Sequence, residues 1–181
     1  MKGDSPRHRS YLALLAGGHL LSAGLTVLVL YEVGALILGT VPFDVRLAVC
    51  AMAAGVAVLA DAIAITRNSL PPGLKRQTAK SLAHNAALSW WVTPLFWGLD
   101  TGLIWSTFRV SSTSWVLLIG ALLNVVPPWG GLAYGLAFTL PLIAATRLVA
   151  SDQAPRLPHT RSVQAVGALI LALAPATLVL P

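Results

Sequence analysis

Residues 11 to 31, Tyr11 to Tyr31, contain no charged side chain, and the apolar run resumes after Glu32 as far as Gly39. Few environments accept a stretch like that. In lipid the backbone has no water to bond, so a run of about 20 apolar residues crosses as a helix. The 28 residues from 11 to 38 would make roughly 42 Å of helix, enough to span with tilt. A second run, Leu47 to Thr66, is broken only by Asp61. The chain as a whole repeats the pattern. Of its 181 residues 56% are apolar and 10% charged, against about 25% charged in a soluble domain.

Residues 67 to 85 hold Arg67, Lys75, Arg76 and Lys80 around Pro71-Pro72-Gly73, which reads as a basic loop. From Ser81 to Thr146 there are only two charges, Asp100 and Arg109. Pro127-Pro128-Trp129-Gly130-Gly131 divides this stretch, since two prolines followed by two glycines cannot continue a helix. Residues 131 to 146 then make a short span, and 86 to 126 make either one interrupted helix or a hairpin turning near Gly98 to Gly102. A last apolar run extends from Val163 to Leu180.

Charge bias favours the interrupted helix. Cytoplasmic loops gather Lys and Arg near span ends. With five spans and the N-terminus inside, the tail, the 67 to 85 loop and the 147 to 162 loop are all cytoplasmic. Every basic residue except Arg46 and Arg109 then lies inside; six spans would move the last loop out. The expected fold is therefore an all-α polytopic integral membrane bundle of five spans, six being the alternative, with one span discontinuous. Residues 1 to 10 form a cytoplasmic tail and 11 to 181 a single transmembrane domain in the plasma (inner) membrane. The leader reads as an uncleaved anchor, because its apolar region is more than twice a usual signal core and no A-x-A site closes it.

The charge total of +6 comes from clusters between apolar runs and forms no face for nucleic acid. Cys50, the only cysteine, excludes dithiol chemistry within the chain. His8, His19, His84 and His159 lie on different segments without metal-ligand spacing, and no Walker loop, G-x-S-x-G or HExxH occurs. No metal or cofactor is expected; dithiol oxidoreductase activity is disfavoured by the single cysteine, and a membrane enzyme such as a quinone-linked reductase stays open without a cofactor motif to support it.

The segment from Leu95 to Leu103, the interruption after it and the span Leu132-Ala133-Tyr134-Gly135-Leu136-Ala137-Phe138-Thr139-Leu140-Pro141-Leu142 follow a basic PPGLKRQ loop and precede a final apolar helix. In this order and texture, residues 67 to 180 resemble the membrane domain of the DsbD/CcdA thiol-reductant carriers. The resemblance implies a broken helix between about Gly98 and Ser114. It does not imply thiol-disulfide transfer. Where that family places a Pro-Cys pair, this chain reads Thr107-Phe108-Arg109.

The polar residues inside the apolar runs are the candidate site. A charge at membrane depth costs roughly 2.5 to 3.5 kcal/mol even on insertion scales, so it needs a partner, a wet cavity or a function. Asp100 and Arg109 would be half a turn out of phase on a regular helix. If the helix breaks, the hydroxyls of Thr101, Ser106, Thr107, Ser111 and Ser112 can serve freed backbone groups, and half-helix ends at depth are how carriers build polar sites. Two readings stand: a site for a small anionic solute or proton, or a structural role in which the two charges either sit in headgroups at opposite ends of a hairpin turn or form an ion pair. His19, with Ser22 and Thr26 on one stripe, is either a proton relay or an interhelical hydrogen bond. Asp61 either snorkels to the interface near Arg67 or holds a cation or proton.

Ala51-x3-Gly55, Gly98-x3-Gly102 and Gly131-x3-Gly135 fit close helix packing within the monomer, or a dimer face. Trp90, Trp91 and Trp129 suit the two interfaces. The functional expectation is a transporter-like membrane protein. Its alternative is a non-catalytic accessory subunit of a larger membrane complex. Partners would be the bilayer and either a second copy or that complex.

Overall fold

The computed structural model describes residues 6–67, 69, 89–105 and 111–150. All regular structure among them is helical: α1 Pro6–Leu38, α2 Phe43–Thr66, α3 Val92–Gly102, α4 Thr113–Leu122 and α5 Gly130–Ala150. Among the described residues two helices are long and apolar enough to cross a membrane, over Arg9–Leu38 and Phe43–Thr66. The expected fifth run, 163 to 180, and all of the 67 to 85 loop except Arg67 and Ser69 lie outside the described residues.

Local chemistry sets the helix ends. α2 begins four residues earlier than the apolar run, because Pro42 (φ −55°) stands ready as the entry residue and Asp44 places a negative charge in the first turn, at the positive end of the helix dipole. Pro94 falls in the first turn of α3, where a missing N–H costs no helical bond. Asn124 adopts the left-handed φ of 53° that closes α4. Its N–H donates to the Ala121 carbonyl at 3.0 Å, and the Val125 N–H to the Gly120 carbonyl at 2.9 Å. After Pro127-Pro128, the Gly130 N–H bonds the Pro127 carbonyl at 2.9 Å and α5 starts.

The long helix α1 is the spine. Gly98 and Gly102 of α3 lie against Leu15, His19 and Ser22, while Leu122 of α4 lies against Gly34. The two short helices thus follow one another along α1 in its own direction, separated by residues 103 to 112. Helix α5 runs the other way, with Gly131 against Ala23 and Val27 and Gly135 against Leu20. Close approach to this spine requires glycine, as at Gly34 of α1 and Gly98 of α3. A Cβ on Gly34 would overlap the Leu122 carbonyl, and one on Gly98 the Leu15 carbonyl. Of the three small-residue pairs, the two in α3 and α5 pack on α1. Ala51 and Gly55 face outward, with nothing near the space a Gly55 Cβ would fill.

Helix α2 packs on α4 antiparallel to it: Cys50 meets Gly120 and Asp61 meets Ser112. Its inward stripe is Cys50, Ala54, Ala57, Asp61 and Ala64. Its outward stripe is Val45, Val49, Met52, Val56, Leu59 and Ile63, all exposed. The helix is amphipathic in the inverse of the aqueous sense, with its larger apolar side chains outside and its carboxylate inside. The core proper, Ala23, Val27, Ile104, Leu118 and Ala121, lies where α4 and the end of α3 meet α1.

Candidate functional site

Asp61 has no exposed surface. It sits on the inward stripe of α2, and that stripe carries it to the start of α4 rather than up to an interface near Arg67. Snorkelling is therefore not what the structure shows. The carboxylate accepts four hydrogen bonds. The Ser112 N–H is shared between Oδ1 at 2.9 Å and Oδ2 at 3.1 Å. The Ser112 hydroxyl donates to Oδ1 at 2.7 Å and the Ser111 hydroxyl to Oδ2 at 2.7 Å.

Ser111 is itself held in place. Its only proton goes to Asp61, so its oxygen accepts from the Thr113 hydroxyl at 2.7 Å and from the Thr113 N–H at 3.2 Å. The result is a carboxylate cap on α4, with the free N–H groups and positive dipole end of the helix turned toward the negative charge. No cationic side chain among the described residues pairs with Asp61.

The opposite end of α4 is capped from the same helix. Arg46 Nη1 donates to the Leu123 carbonyl at 3.2 Å and to Asn124 Oδ1 at 3.4 Å. Asn124 in turn donates through Nδ2 to the Tyr31 carbonyl of α1 at 2.6 Å. The guanidinium also lies over the Phe43 ring, 5.7 Å from its centroid. A cation at the carbonyl end and an anion at the N–H end both match the α4 dipole.

A second buried polar group stands at the other lip of the break. His19, 1% exposed, has Nδ1 3.2 Å from the Thr101 hydroxyl oxygen, and its ring stacks on Phe138 with centroids 4.3 Å apart. Thr101 Oγ1 donates to the Gly98 carbonyl at 3.0 Å. When that proton points to Gly98, Nδ1 carries hydrogen and donates to Thr101; in the other tautomer the Thr101 hydroxyl donates to Nδ1. One imidazole thereby joins α1, the end of α3 and α5. Ser22 and Thr26, on the same stripe, are also buried.

The structure thus gathers the sequence candidates into two groups. Asp61, Ser111 and Ser112 meet at the start of α4, and His19 and Thr101 meet at the end of α3. Asp100, half-buried, lies beside Thr101 in the last turn of α3. Ser106, Thr107 and Arg109 lie outside the described residues, and with them the pairing of Asp100 with Arg109.

Sequence reasoning missed Arg46, Asn124 and Phe138. Arg46 and Asp61 did leave a signal: two opposite charges fifteen residues apart in one apolar helix are about 60° from the same face. Asn124 and Phe138 left none, since nothing local marks a side chain that will meet α1. Among the described residues no cluster of His, Cys, Asp or Glu could hold a metal ion. No family model, no curated protein and no solved structure matches the chain, so the site is read from its own chemistry.

Proposed function

We propose that the chain is a multi-pass membrane protein, transporter-like, whose polar site is formed at the break between α3 and α4 around Asp61, Ser111 and Ser112. The observation that carries this reading is Asp61: a carboxylate without exposed surface in an otherwise uncharged helical stretch, whose outward stripe is wholly apolar. Ionisable groups so placed are costly and tend to mark ion or proton paths. The broken helix is also what the resemblance to DsbD/CcdA domains implies, though the absent cysteines leave thiol transfer out of the proposal. The N-terminus is assigned to the cytoplasm of an inner membrane by the basic residues near the start of α1 and after α2.

Of the two solutes that fit a polar break, the proton fits better. The Asp61 carboxylate already fills the N–H end of α4. A second anion about 4 Å away would be repelled by about 4 kcal/mol at an effective dielectric constant of 20, whereas a proton needs only one hydroxyl donor, that of Ser111 or Ser112, to turn away. The test is proton flux into liposomes carrying the purified chain and an internal pH dye. Wild type should acidify the lumen under an imposed gradient, and Asp61→Asn, inserted to the same extent, should not. Equal flux in the two proteins removes Asp61 from any transport role.

One observation favours an accessory subunit instead. All four hydrogen bonds to Asp61 come from the chain itself, so the cap is complete without a solute. On that reading Asp61 is structural, no proton flux is seen, and a membrane partner co-purifies with the chain.

A further inference from the structure

The outward stripe of α2 shows where a bilayer would sit on this protein, and how deep Asp61 would lie. Val45 to Ile63 is nineteen residues, a rise of about 27 Å along the helix, against a hydrocarbon layer of about 30 Å. Every large residue on the stripe is apolar and exposed. Asp44 and Arg46 stand at one end of it, and Arg67 just beyond the other.

We infer that the lipid hydrocarbon layer covers the α2 face from Val45 to Ile63, bounded by Arg46 on one side and Arg67 on the other, and that Asp61 lies off-centre within it. Asp61 is six residues, about 9 Å, from Arg67, but fifteen residues, about 22 Å, from Arg46. The stripe is centred between Met52 and Val56, so the carboxylate belongs to the Arg67 half. A proton or solute reaching it has the shorter path from the Arg67 surface. This inference rests on the bilayer part of the proposed function and not on transport.

Site-directed spin labelling of the full chain in phosphatidylcholine liposomes tests it. In a Cys50→Ala background, single substitutions Val45→Cys, Met52→Cys, Val56→Cys, Leu59→Cys and Ile63→Cys alter only exposed positions. Lipid contact admits molecular oxygen and excludes a water-soluble nickel chelate, whereas a protein partner or second copy excludes both and immobilises the label. The expected result is a depth profile with its maximum between Met52 and Val56 and Leu59 deeper than Ile63. Nickel access should be several-fold higher at Val45 and Ile63 than at the centre.

Labels at Met52 and Val56 that are shielded from both reagents would overturn the inference in favour of a protein-covered face. Nickel access at Val56 in protein that resists alkaline extraction overturns the register and leaves the membrane reading standing. Release by alkali overturns both. Loss of the proton-flux result with the depth profile intact bears on transport alone.

Discussion

Arg46 and Asp61, fifteen residues apart on α2, cap opposite ends of the ten-residue helix α4. The acid takes the N–H end and the base the carbonyl end, so one helix holds another by its dipole. A helix this short is marginal alone, and the two caps together with packing on α1 account for its persistence after a ten-residue interruption.

Removing the acid should cost most. Asp61→Ala leaves the buried Ser112 N–H and two hydroxyls without their acceptor, and loses a cap besides. A loss of roughly 2 to 4 kcal/mol is expected, read from reversible unfolding in mixed micelles. Asp61→Asn keeps an acceptor oxygen and should lose about half as much. An unchanged Asp61→Ala midpoint would mean that the carboxylate holds nothing.

The basic cap is weaker, because Arg46 is partly exposed and its bonds are longer. Arg46→Ala is expected to lose about 0.5 to 1.5 kcal/mol, within the range of helix-end charges and charged hydrogen bonds. The two caps act on different groups about 22 Å apart along α2. The Arg46→Ala, Asp61→Ala double mutant should therefore be additive within about 0.5 kcal/mol.

Glycine substitutions separate the inner faces from the outer. Gly34→Ala drives a Cβ into the Leu122 carbonyl, a backbone atom that cannot swing away, and about 1 to 3 kcal/mol should be lost as α4 is pushed from α1. Gly55→Ala meets open space and should gain up to about 1 kcal/mol from helix propensity. A Gly55→Ala protein less stable than Gly34→Ala would invert the assigned faces.

The His19 junction is open to a side-chain test. Thr101→Val removes the hydroxyl hydrogen-bonded to the imidazole and should cost about 1 to 2 kcal/mol, while Thr101→Ser retains it and stays near wild type. Phe138→Leu removes the ring stacked on His19 and should lose about 1 kcal/mol. Thermal unfolding of the three variants at one pH and detergent concentration reads all of these.

Much of this architecture is legible in the residues themselves. The charge-free run from Tyr11 to Tyr31 dictates a long helix. Pro127 to Gly131 forces a stop, and the hydroxyl-rich stretch before Trp115 marks a place where helical bonding can lapse. Gly98, Gly102, Gly131 and Gly135 announce close helix contacts, and all four contacts fall on α1 within the chain. The candidate site was legible as a set of residue types, Asp61, His19, Thr101, Ser111 and Ser112, but not as a grouping. Asp61 could equally have reached for water, because its neighbours in sequence, Ala60 and Ala62, do not constrain where the carboxylate goes.

The sequence by itself determined that the chain forms long apolar helices interrupted near residue 102, since hydropathy and helix breakers act over a few residues and need no partner. Only the tertiary structure decided that Asp61 turns inward to the start of α4, that Arg46 holds the other end and that His19 meets Thr101 and Phe138. Those choices depend on which helices lie side by side and in which direction, and a carboxylate takes the buried position only where another helix presents its unpaired N–H groups.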